Sequence, residues 1–176
     1  MSISRKLFFL FMIFFSIKGY SQDSKTDSLK ALLQTTSDDS SKVNLLNSIS
    51  YNLFTSAPAE AIDYGKQALN LAEKINFEKG IAYALKNIGL GYYMQSNFAE
   101  VLIYWEQSLI VFESMGDKLG VSNILNNIGA IYFAQGNDAK AIDLYLRSLR
   151  AAEEIGDTLR IATALNNIGG VYYNKP

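Results

Sequence analysis

The sequence repeats itself every forty residues, and no other feature restricts the possible folds as strongly. The motif Leu-x-Asn-Ile-Gly-x-x-Tyr begins at Leu85, Leu125 and Leu165. The segments between these motifs repeat as well, with a Ser-Leu pair at 108 and 148 and a Gly-Asp pair at 116 and 156. A degenerate earlier copy shares the Ala-Ile-Asp sequence of 61–63 with 141–143. Such a period indicates a stack of similar supersecondary units that bury their apolar faces against one another.

Each unit is predicted to contain two helices. In the unit 117–156, apolar residues recur at helical spacing in both halves. They are Leu125, Ile128, Ile131 and Tyr132 in the first half, and Ala141, Ile142, Tyr145, Leu149 and Ala152 in the second. Gly136-Asn137 separates the two halves, and Gly156 can end the second helix in a left-handed conformation, as Asn76 can in the degenerate copy two units earlier. The predicted fold is therefore all-α, an α-solenoid of antiparallel helical hairpins.

These signals divide the chain into six segments. They are a leader at 1–21, a short N-terminal helix and linker at 22–41, a degenerate repeat at 42–76, repeats at 77–116 and 117–156, and the first helix of an incomplete repeat at 157–176. Thr26 or Asp27 is the predicted N-cap of the short helix, which would cover the N-terminal end of the stack. Solenoids normally end in a capping helix, so the incomplete unit predicts a fragment of a longer array. Self-association through the uncapped C-terminal end is a separate expectation. The alternative is a complete protein whose last helix caps the stack or pairs with another copy.

A glycine stands inside the first helix of three units, although glycine costs a helix interior about 1 kcal/mol relative to alanine. We expect close helix packing to be the reason, with Gly129 facing Ala141 and the ring of Tyr145 lying across the gap. Glycine before tyrosine in the first helix, and alanine before an aromatic residue in the second, resemble the tetratricopeptide repeat family, particularly exported repeat regions of bacterial signalling proteins. The usual unit of that family has about 34 residues, so the helices here should be longer. Val101, Ser50 and Gly65 depart from the pattern, and the first unit is expected to pack less regularly.

The resemblance implies a right-handed superhelix whose first helices line a concave, peptide-binding groove. Asparagines one step before the core isoleucine would face this groove, with Ser48 as their counterpart in the degenerate unit. The predicted binding residues are Asn87, Asn127, Asn167, Asn126, Asn166, Asn123, Tyr93, Phe133 and Tyr173, with Lys86, Tyr83 and Thr163 nearby. Carboxamides can donate to and accept from a peptide backbone, and the groove is expected to be nearly neutral. The alternative is that the asparagines bond neighbouring helices and fix the repeat register.

Composition limits the chemistry that the chain can perform. It contains 0 Cys and 0 His, which excludes thiol nucleophiles, disulfides, Cys/His zinc sites and His-based triads. Its net charge of −1 gives no electrostatic footprint for nucleic acid. We therefore expect no enzymatic activity, no cofactor, no metal and no nucleic-acid partner.

The first residues are typical of a secretory leader. Arg5-Lys6 precede the apolar run 7–17, and Gly19 and Ser21 place small residues where a signal peptidase requires them. A helix of this length spans about 16 Å, whereas a hydrocarbon core needs about 30 Å. A signal peptide cleaved after Ser21 is therefore predicted, with an uncleaved anchor as the alternative. The mature chain would be periplasmic or extracellular, and membrane-linked only as part of a longer protein.

Two functions remain open on the sequence. The first is an extracytoplasmic scaffold that binds a protein or an extended peptide. The second is the N-terminal sensory region of a bacterial signalling receptor, such as a histidine kinase, a nucleotide cyclase or a transcriptional regulator, which the leader and the forty-residue units resemble. That receptor would need an output domain beyond the present sequence.

Overall fold

The computed structural model describes residues 25–173, and every regular element among them is a helix. Helix α1 covers residues 25–33. The others are α2 (Ser40–Leu53), α3 (Pro58–Lys74), α4 (Glu78–Met94), α5 (Phe98–Ser114), α6 (Lys118–Ala134), α7 (Asp138–Glu154) and α8 (Thr158–Tyr173). The prediction of an all-α solenoid is confirmed.

The turns between the helices depend on residues in the left-handed region. Positive φ angles occur at Asn76 (54°), Ser96 (57°), Gly116 (68°), Gly136 (75°) and Gly156 (65°). This conformation ends a helix and reverses the chain, and glycine and asparagine adopt it most readily. The predicted left-handed caps at 76 and 156 are therefore confirmed. Ser96, in contrast, has a conformation that glycine adopts at the equivalent position of the next unit.

Polar side chains then begin the next helix. The side-chain oxygens of Asn97, Asp117 and Asn137 accept hydrogen bonds from the backbone N–H groups three residues later. Asp157 accepts from the N–H of Arg160 in the same way. Because the first N–H groups of a helix lack partners within it, these caps fix where α5 to α8 start.

The helices form hairpins that stack in chain order. From α2 onward each helix packs against the next, so α2/α3, α4/α5 and α6/α7 form antiparallel pairs joined by short turns. The first helices of neighbouring pairs also contact each other, α2 with α4 and α6 with α8. Leu29 and Leu33 of α1 pack on the cluster that includes Leu45 and Ile49 of α2, so α1 lies against the N-terminal end of the stack.

Close packing explains the glycines of the first helices. A Cβ atom at Gly129 would lie 2.7 Å from Cε1 of Tyr145, and one at Gly89 would collide with the indole of Trp105. Trp105 also donates from Nε1 to the backbone oxygen of Lys86, at 3.1 Å. The predicted position of Tyr145 across Gly129 is confirmed, and its ring, rather than Ala141, supplies the closest atoms.

The first hairpin solves the same packing problem with different residues. Gly65 of α3 replaces the aromatic side chain, and a Cβ there would lie 2.7 Å from Cγ1 of Ile88 in the next unit. Ser50 of α2 stands where the later units have glycine, and its Oγ donates to the backbone oxygen of Ala61 at 2.7 Å. The small residue has therefore moved from the first helix to the second, which agrees with the expected irregularity of this unit.

The predicted N-cap of α1 is wrong, and the predicted signal peptide lies outside the described residues. Residue 25 is already helical and Thr26 is buried within α1, so neither Thr26 nor Asp27 is the N-cap. The signal peptide predicted at 1–21 lies outside the described residues. Among the helices of 25–173, none combines the length and the apolar character that a membrane span requires.

Candidate functional site

Asn87 joins two helices of neighbouring units. Its side chain is 3% exposed, and its Nδ2 donates to the backbone oxygen of Asn47 in α2, at 3.0 Å. The Nδ2 of Asn47 donates in turn to the backbone oxygen of Gly80 in α4, at 3.1 Å. Buried amides that are paired in this way fix the offset between the two helices. The role of Asn87 in the register therefore has direct contacts to support it, whereas its role in ligand binding stays a prediction.

A related amide contact, to a side-chain oxygen instead of a backbone oxygen, occurs at the other end of the array. Nδ2 of Asn167 in α8 donates to Oδ1 of Asn126 in α6, at 2.8 Å. In both cases the asparagine that precedes the core isoleucine, Asn87 or Asn167, contacts a residue of the preceding unit. That residue lies one position before the equivalent of the asparagine in its own unit. By this offset the partner position for Asn127 belongs to Lys86 rather than to an asparagine. The amide ladder thus joins α2 to α4 and α6 to α8, and Lys86 interrupts it between α4 and α6.

Lys86 is a half-buried lysine that lies against two aromatic rings. Its Nζ lies 5.2 Å from the ring centroid of Tyr83 and 5.7 Å from that of Tyr51. Burial lowers the pKa of Lys86, and the positive charge of Arg160 lowers it further. No carboxylate of residues 25–173 forms an ion pair with this ammonium group. A half-buried cation that is held only by aromatic faces is available to an anionic ligand.

Lys86 opens into a cavity of about 530 Å³ between α1, α2 and α4. The lining residues are Lys25, Leu29, Asn44, Asn47, Ser48, Tyr51, Asn52, Lys79, Tyr83, Lys86 and Asn87. Among the residues that the structure describes, three lysines and no acidic residue contribute to this lining. The expectation of a nearly neutral groove is therefore wrong at this end of the array, because α1 and α4 bring lysines to the same face.

A second, smaller cavity of about 150 Å³ lies between α6, α7 and α8. Asn123, Asn126 and Asn127 line it together with Arg160. The guanidinium group of Arg160 is already engaged, since NH1 bonds Oδ2 of Asp157 at 2.7 Å and Nε bonds Oδ1 of Asn123 at 2.9 Å. This cavity has room for only a few water-sized groups, and its cation is paired.

The aromatic residues predicted for the groove lie away from both cavities. Tyr93 stacks on Trp105 at a centroid distance of 6.1 Å, and Phe133 packs on the cluster around Tyr145. Tyr173 is 89% exposed near the end of α8. Asn166 is exposed on the same helix. The predicted site residues are thus divided among the larger cavity (Asn87), the smaller one (Asn123, Asn126 and Asn127), the contact between α6 and α8 (Asn167), and surfaces outside the cavities.

The residues that the sequence analysis missed lie mainly in the degenerate first unit and in α1. Tyr51, Asn44 and Lys25 line the larger cavity but belong to no forty-residue motif. Their signal was weak because the first unit is one residue out of phase with the later ones. Within 25–173, the acidic side chains form no cluster that could hold a metal ion.

Comparison with known proteins supports a repeat fold. A family model for the tetratricopeptide repeat matches residues 120–174. A search of curated proteins gave no match. Among solved structures, BtubC (BKLC) from P. vanneervenii aligns with a TM-score of 0.63 and 18% identity, over 74% of this chain and 57% of that one. A Rap protein in complex with Competence and Sporulation Factor aligns with a TM-score of 0.73 and 19% identity, over 87% of this chain and 46% of that one.

The chain therefore spans about half the length of these two structures. At this level of identity the likeness concerns the fold.

Proposed function

We propose that this tetratricopeptide-type repeat array binds an extended, acidic segment of another polypeptide on its concave side. One observation carries the proposal: within residues 25–173, the half-buried ammonium group of Lys86 has no ion-pair partner and lies in a cavity of about 530 Å³ that further lysines, and no acidic side chain of this range, line. A carboxylate on the ligand would supply the missing partner of Lys86. The Rap protein of similar fold was solved with a bound factor, which agrees with a binding role for such an array.

The rest of the cavity suits a peptide. Tyr51 and Tyr83 both present ring faces to the ammonium group, and Asn44 and Ser48 add polar groups along α2. An asparagine amide can donate to a peptide carbonyl and accept from a peptide N–H at the same time. A charge-assisted hydrogen bond from Lys86 would then select an acidic residue at one position of the ligand. A sensory region of a receptor would use the same chemistry, so one experiment tests the cavity in either setting.

The proposed location is outside the cytoplasm. This part of the proposal rests on the leader-like residues 1–21, with their short apolar run and the small residues Gly19 and Ser21. We expect the mature chain to begin at Gln22 when the gene is expressed in a secreting bacterial host. Mass spectrometry of the purified periplasmic fraction would measure the N-terminus. Full-length chain that begins at Met1 and stays with the cytoplasmic fraction would contradict the location.

Replacing Lys86 by asparagine is expected to weaken binding of an acidic peptide about tenfold to a hundredfold. A hydrogen bond to a charged group contributes about 1.5–3 kcal/mol, which corresponds to that range of affinity. Lys86→Asn copies the residue that the next two units carry, Asn126 and Asn166, and it could receive the amide of Asn127 as Asn126 receives that of Asn167. We therefore expect no loss of stability. The probes are peptides selected from a random dodecapeptide library on the unsubstituted chain, and fluorescence anisotropy gives the dissociation constants.

The matched control is Lys66→Asn on α3. Lys66 also lies over a tyrosine ring, that of Tyr92 at 6.0 Å, but it is exposed and outside the cavity. This substitution should leave the affinity unchanged. Selected peptides without enrichment in Asp or Glu, or equal affinities for the parent and Lys86→Asn, would contradict the proposed site. Failure to select any peptide would contradict peptide binding itself.

A further inference from the structure

The first helices of neighbouring units are tied together at two of their three junctions. The buried asparagine amides described above tie α2 to α4. Two hydrogen bonds tie α6 to α8, one from Nδ2 of Asn167 to Oδ1 of Asn126 at 2.8 Å and one from Nε of Arg160 to Oδ1 of Asn123 at 2.9 Å. Within residues 25–173, no hydrogen bond or ion pair joins α4 to α6, and these two helices also pack less against each other than the tied pairs do. The inner side of the array is therefore untied at one junction.

A single residue accounts for the missing link. Lys86 stands where the units before and after carry Asn47 and Asn126, each of which accepts the amide of the next unit's asparagine. A lysine ammonium group has donors only, so it offers no acceptor to Asn127. The carboxamide of Asn127 is half-buried and forms no hydrogen bond to any other residue that the structure describes. The junction between α4 and α6 thus lacks its amide link because of the substitution at position 86.

The outer side of the same junction is held by contacts that tolerate rotation. An apolar cluster continues from α5 into α6 on this side, and the ring of Phe112 lies so close to Gly120 that a Cβ there would collide with it. Apolar packing is non-directional, so the ring can turn on the glycine without breaking a hydrogen bond. The ion pair between Arg147 and Glu113, at 3.3 Å, also crosses the junction, but both side chains are exposed and such pairs contribute little. The junction therefore combines a pivot on the outer side with a free inner side.

The two cavities of the concave side lie on opposite sides of this junction. Residues 83, 86 and 87 of α4 line the larger cavity, and residues 123, 126 and 127 of α6, forty positions later, line the smaller one. A peptide that extends from one cavity to the other crosses the junction, and a backbone oxygen of the peptide can give Asn127 the acceptor that it lacks. Burial and the positive charge of Arg160 both lower the pKa of Lys86, so an acidic residue placed here also reduces repulsion between like charges.

We propose that the array bends at the junction between α4 and α6, and that a peptide bound across both cavities holds it in one conformation. The bending is a property of the free chain, whereas its restriction by a peptide rests on the proposed function. Lys86 keeps the inner side of the junction open, and the bound peptide takes the place of the missing amide link. The segments on either side, α1 to α5 and α6 to α8, move as two bodies about a hinge.

Spin labels measure the bending directly, because the chain contains 0 Cys and labels attach only to introduced ones. Asp63, Ile103 and Asp143 are exposed and occupy the same position of three successive second helices. The pair Ile103→Cys and Asp143→Cys crosses the junction, and the pair Asp63→Cys and Ile103→Cys, within the first body, is the matched control. In double electron–electron resonance we expect the distance distribution across the junction to be at least about twofold wider than that of the control pair, as for two bodies joined by a hinge.

Two substitutions at position 86 identify the cause. Lys86→Asn gives Asn127 an acceptor, so the distribution across the junction should narrow to the width of the control pair. Lys86→Ala removes the charge without supplying an acceptor, so the distribution should stay wide. Equal widths for the two label pairs in the parent chain would overturn the proposal. A width that Lys86→Asn does not reduce, or that Lys86→Ala reduces as much, would overturn it as well.

Peptides selected on the unsubstituted chain test the restriction by a ligand. At saturation they should narrow the distribution across the junction and leave that of the control pair unchanged. A peptide that binds without this narrowing would overturn the proposed restriction. Failure to select any peptide would instead contradict the binding function, and the widths measured on the free chain would still decide whether the junction bends.

Discussion

Replacing Gly89 by alanine is expected to lower the free energy of unfolding by about 2 kcal/mol. The new methyl group would occupy the space of the Trp105 indole, and overpacking of this kind costs about 1–3 kcal/mol. Trp105 cannot easily move aside, because it is 2% exposed and its Nε1 donates to the backbone oxygen of Lys86. Alanine favours a helix over glycine by about 1 kcal/mol, so the collision must outweigh that gain. Urea denaturation followed by circular dichroism measures the difference.

The same substitution at the equivalent position of α8 is expected to have the opposite sign. A methyl group at Gly169 meets no heavy atom within 4 Å in the described part of the chain, so only the helix propensity changes. Gly169→Ala should therefore raise the free energy of unfolding by about 0.5–1 kcal/mol. Replacing Trp105 by alanine should likewise make Gly89→Ala stabilising, because the colliding ring is gone. Equal effects at Gly89 and Gly169 would show that the indole contact does not govern this position.

The architecture was predictable because the sequence signals that determine it are local and recur in each unit. The forty-residue period, the helical spacing of the apolar residues and the left-handed residues at the turns each depend on a few neighbouring positions. Asn76 shows the strength of this reasoning, since a lone asparagine at the place of a glycine already indicated a positive φ. The predicted contact between Gly129 and Tyr145 followed from the same regularity, because two residues sixteen apart in one hairpin must face each other.

The binding surface was less predictable because it depends on contacts between units. The sequence placed Asn87 in the groove, but it could not show that Asn47, forty residues earlier, receives its amide. That pairing depends on the axial offset of α2 against α4, which no residue pattern within one unit specifies. The charge of the cavity was missed for a similar reason, because Lys25 belongs to α1, outside the repeats, and Lys79 precedes the motif of α4.

Replacing Asn87 by aspartate is expected to lower the free energy of unfolding by about 3–5 kcal/mol at pH 7. The substitution preserves the shape but exchanges the Nδ2 donor for a carboxylate oxygen, which would then lie opposite the backbone oxygen of Asn47. A buried charge that faces a carbonyl oxygen and has no direct partner costs about this much, and this value holds when Lys25, Lys79 and Lys86 of the same cavity stay outside hydrogen-bond distance of the new carboxylate. Asn47 cannot rotate its own amide to help, because its Nδ2 already donates to the backbone oxygen of Gly80.

The matched control is Asn167→Asp, which changes the same repeat position in α8. Asn167 is only partly buried, and its Nδ2 donates to the side-chain oxygen of Asn126 rather than to a backbone carbonyl. The amide of Asn126 can rotate and present its own Nδ2 to the new carboxylate. We therefore expect a loss of less than about 1 kcal/mol, in the range of substitutions at sites that can adapt. The comparison separates the buried amide link from the general effect of an added charge.

The pH dependence of the Asn87→Asp variant follows from the direction of its pKa. Burial and the backbone oxygen of Asn47 opposite it raise the pKa of the new carboxyl group, whereas Lys25, Lys79 and Lys86 of the same cavity lower it. Because the side chain at 87 is 3% exposed, we expect burial to prevail and the pKa to lie above its unfolded value of about 3.9. A raised pKa means that the proton is bound more tightly in the folded state, so the deficit is largest at pH 7 and shrinks as the pH falls toward 4. The protonated acid can also donate to the oxygen of Asn47. Urea midpoints at pH 7 and pH 4 for the parent, Asn87→Asp and Asn167→Asp measure this.

The result decides between the two roles left open for the asparagine ladder. If Asn87 fixes the register of α2 and α4, the variant loses stability at pH 7 and regains it at pH 4, whatever ligand is present. If Asn87 instead serves only to bind a peptide, the variant unfolds at the same urea concentration as the parent at both pH values and loses affinity for the selected peptides. Its 3% exposure and its hydrogen bond to Asn47 lead us to expect the first outcome. Lys86, where the ladder is interrupted, would then be the residue of this row that is free to recognise a partner.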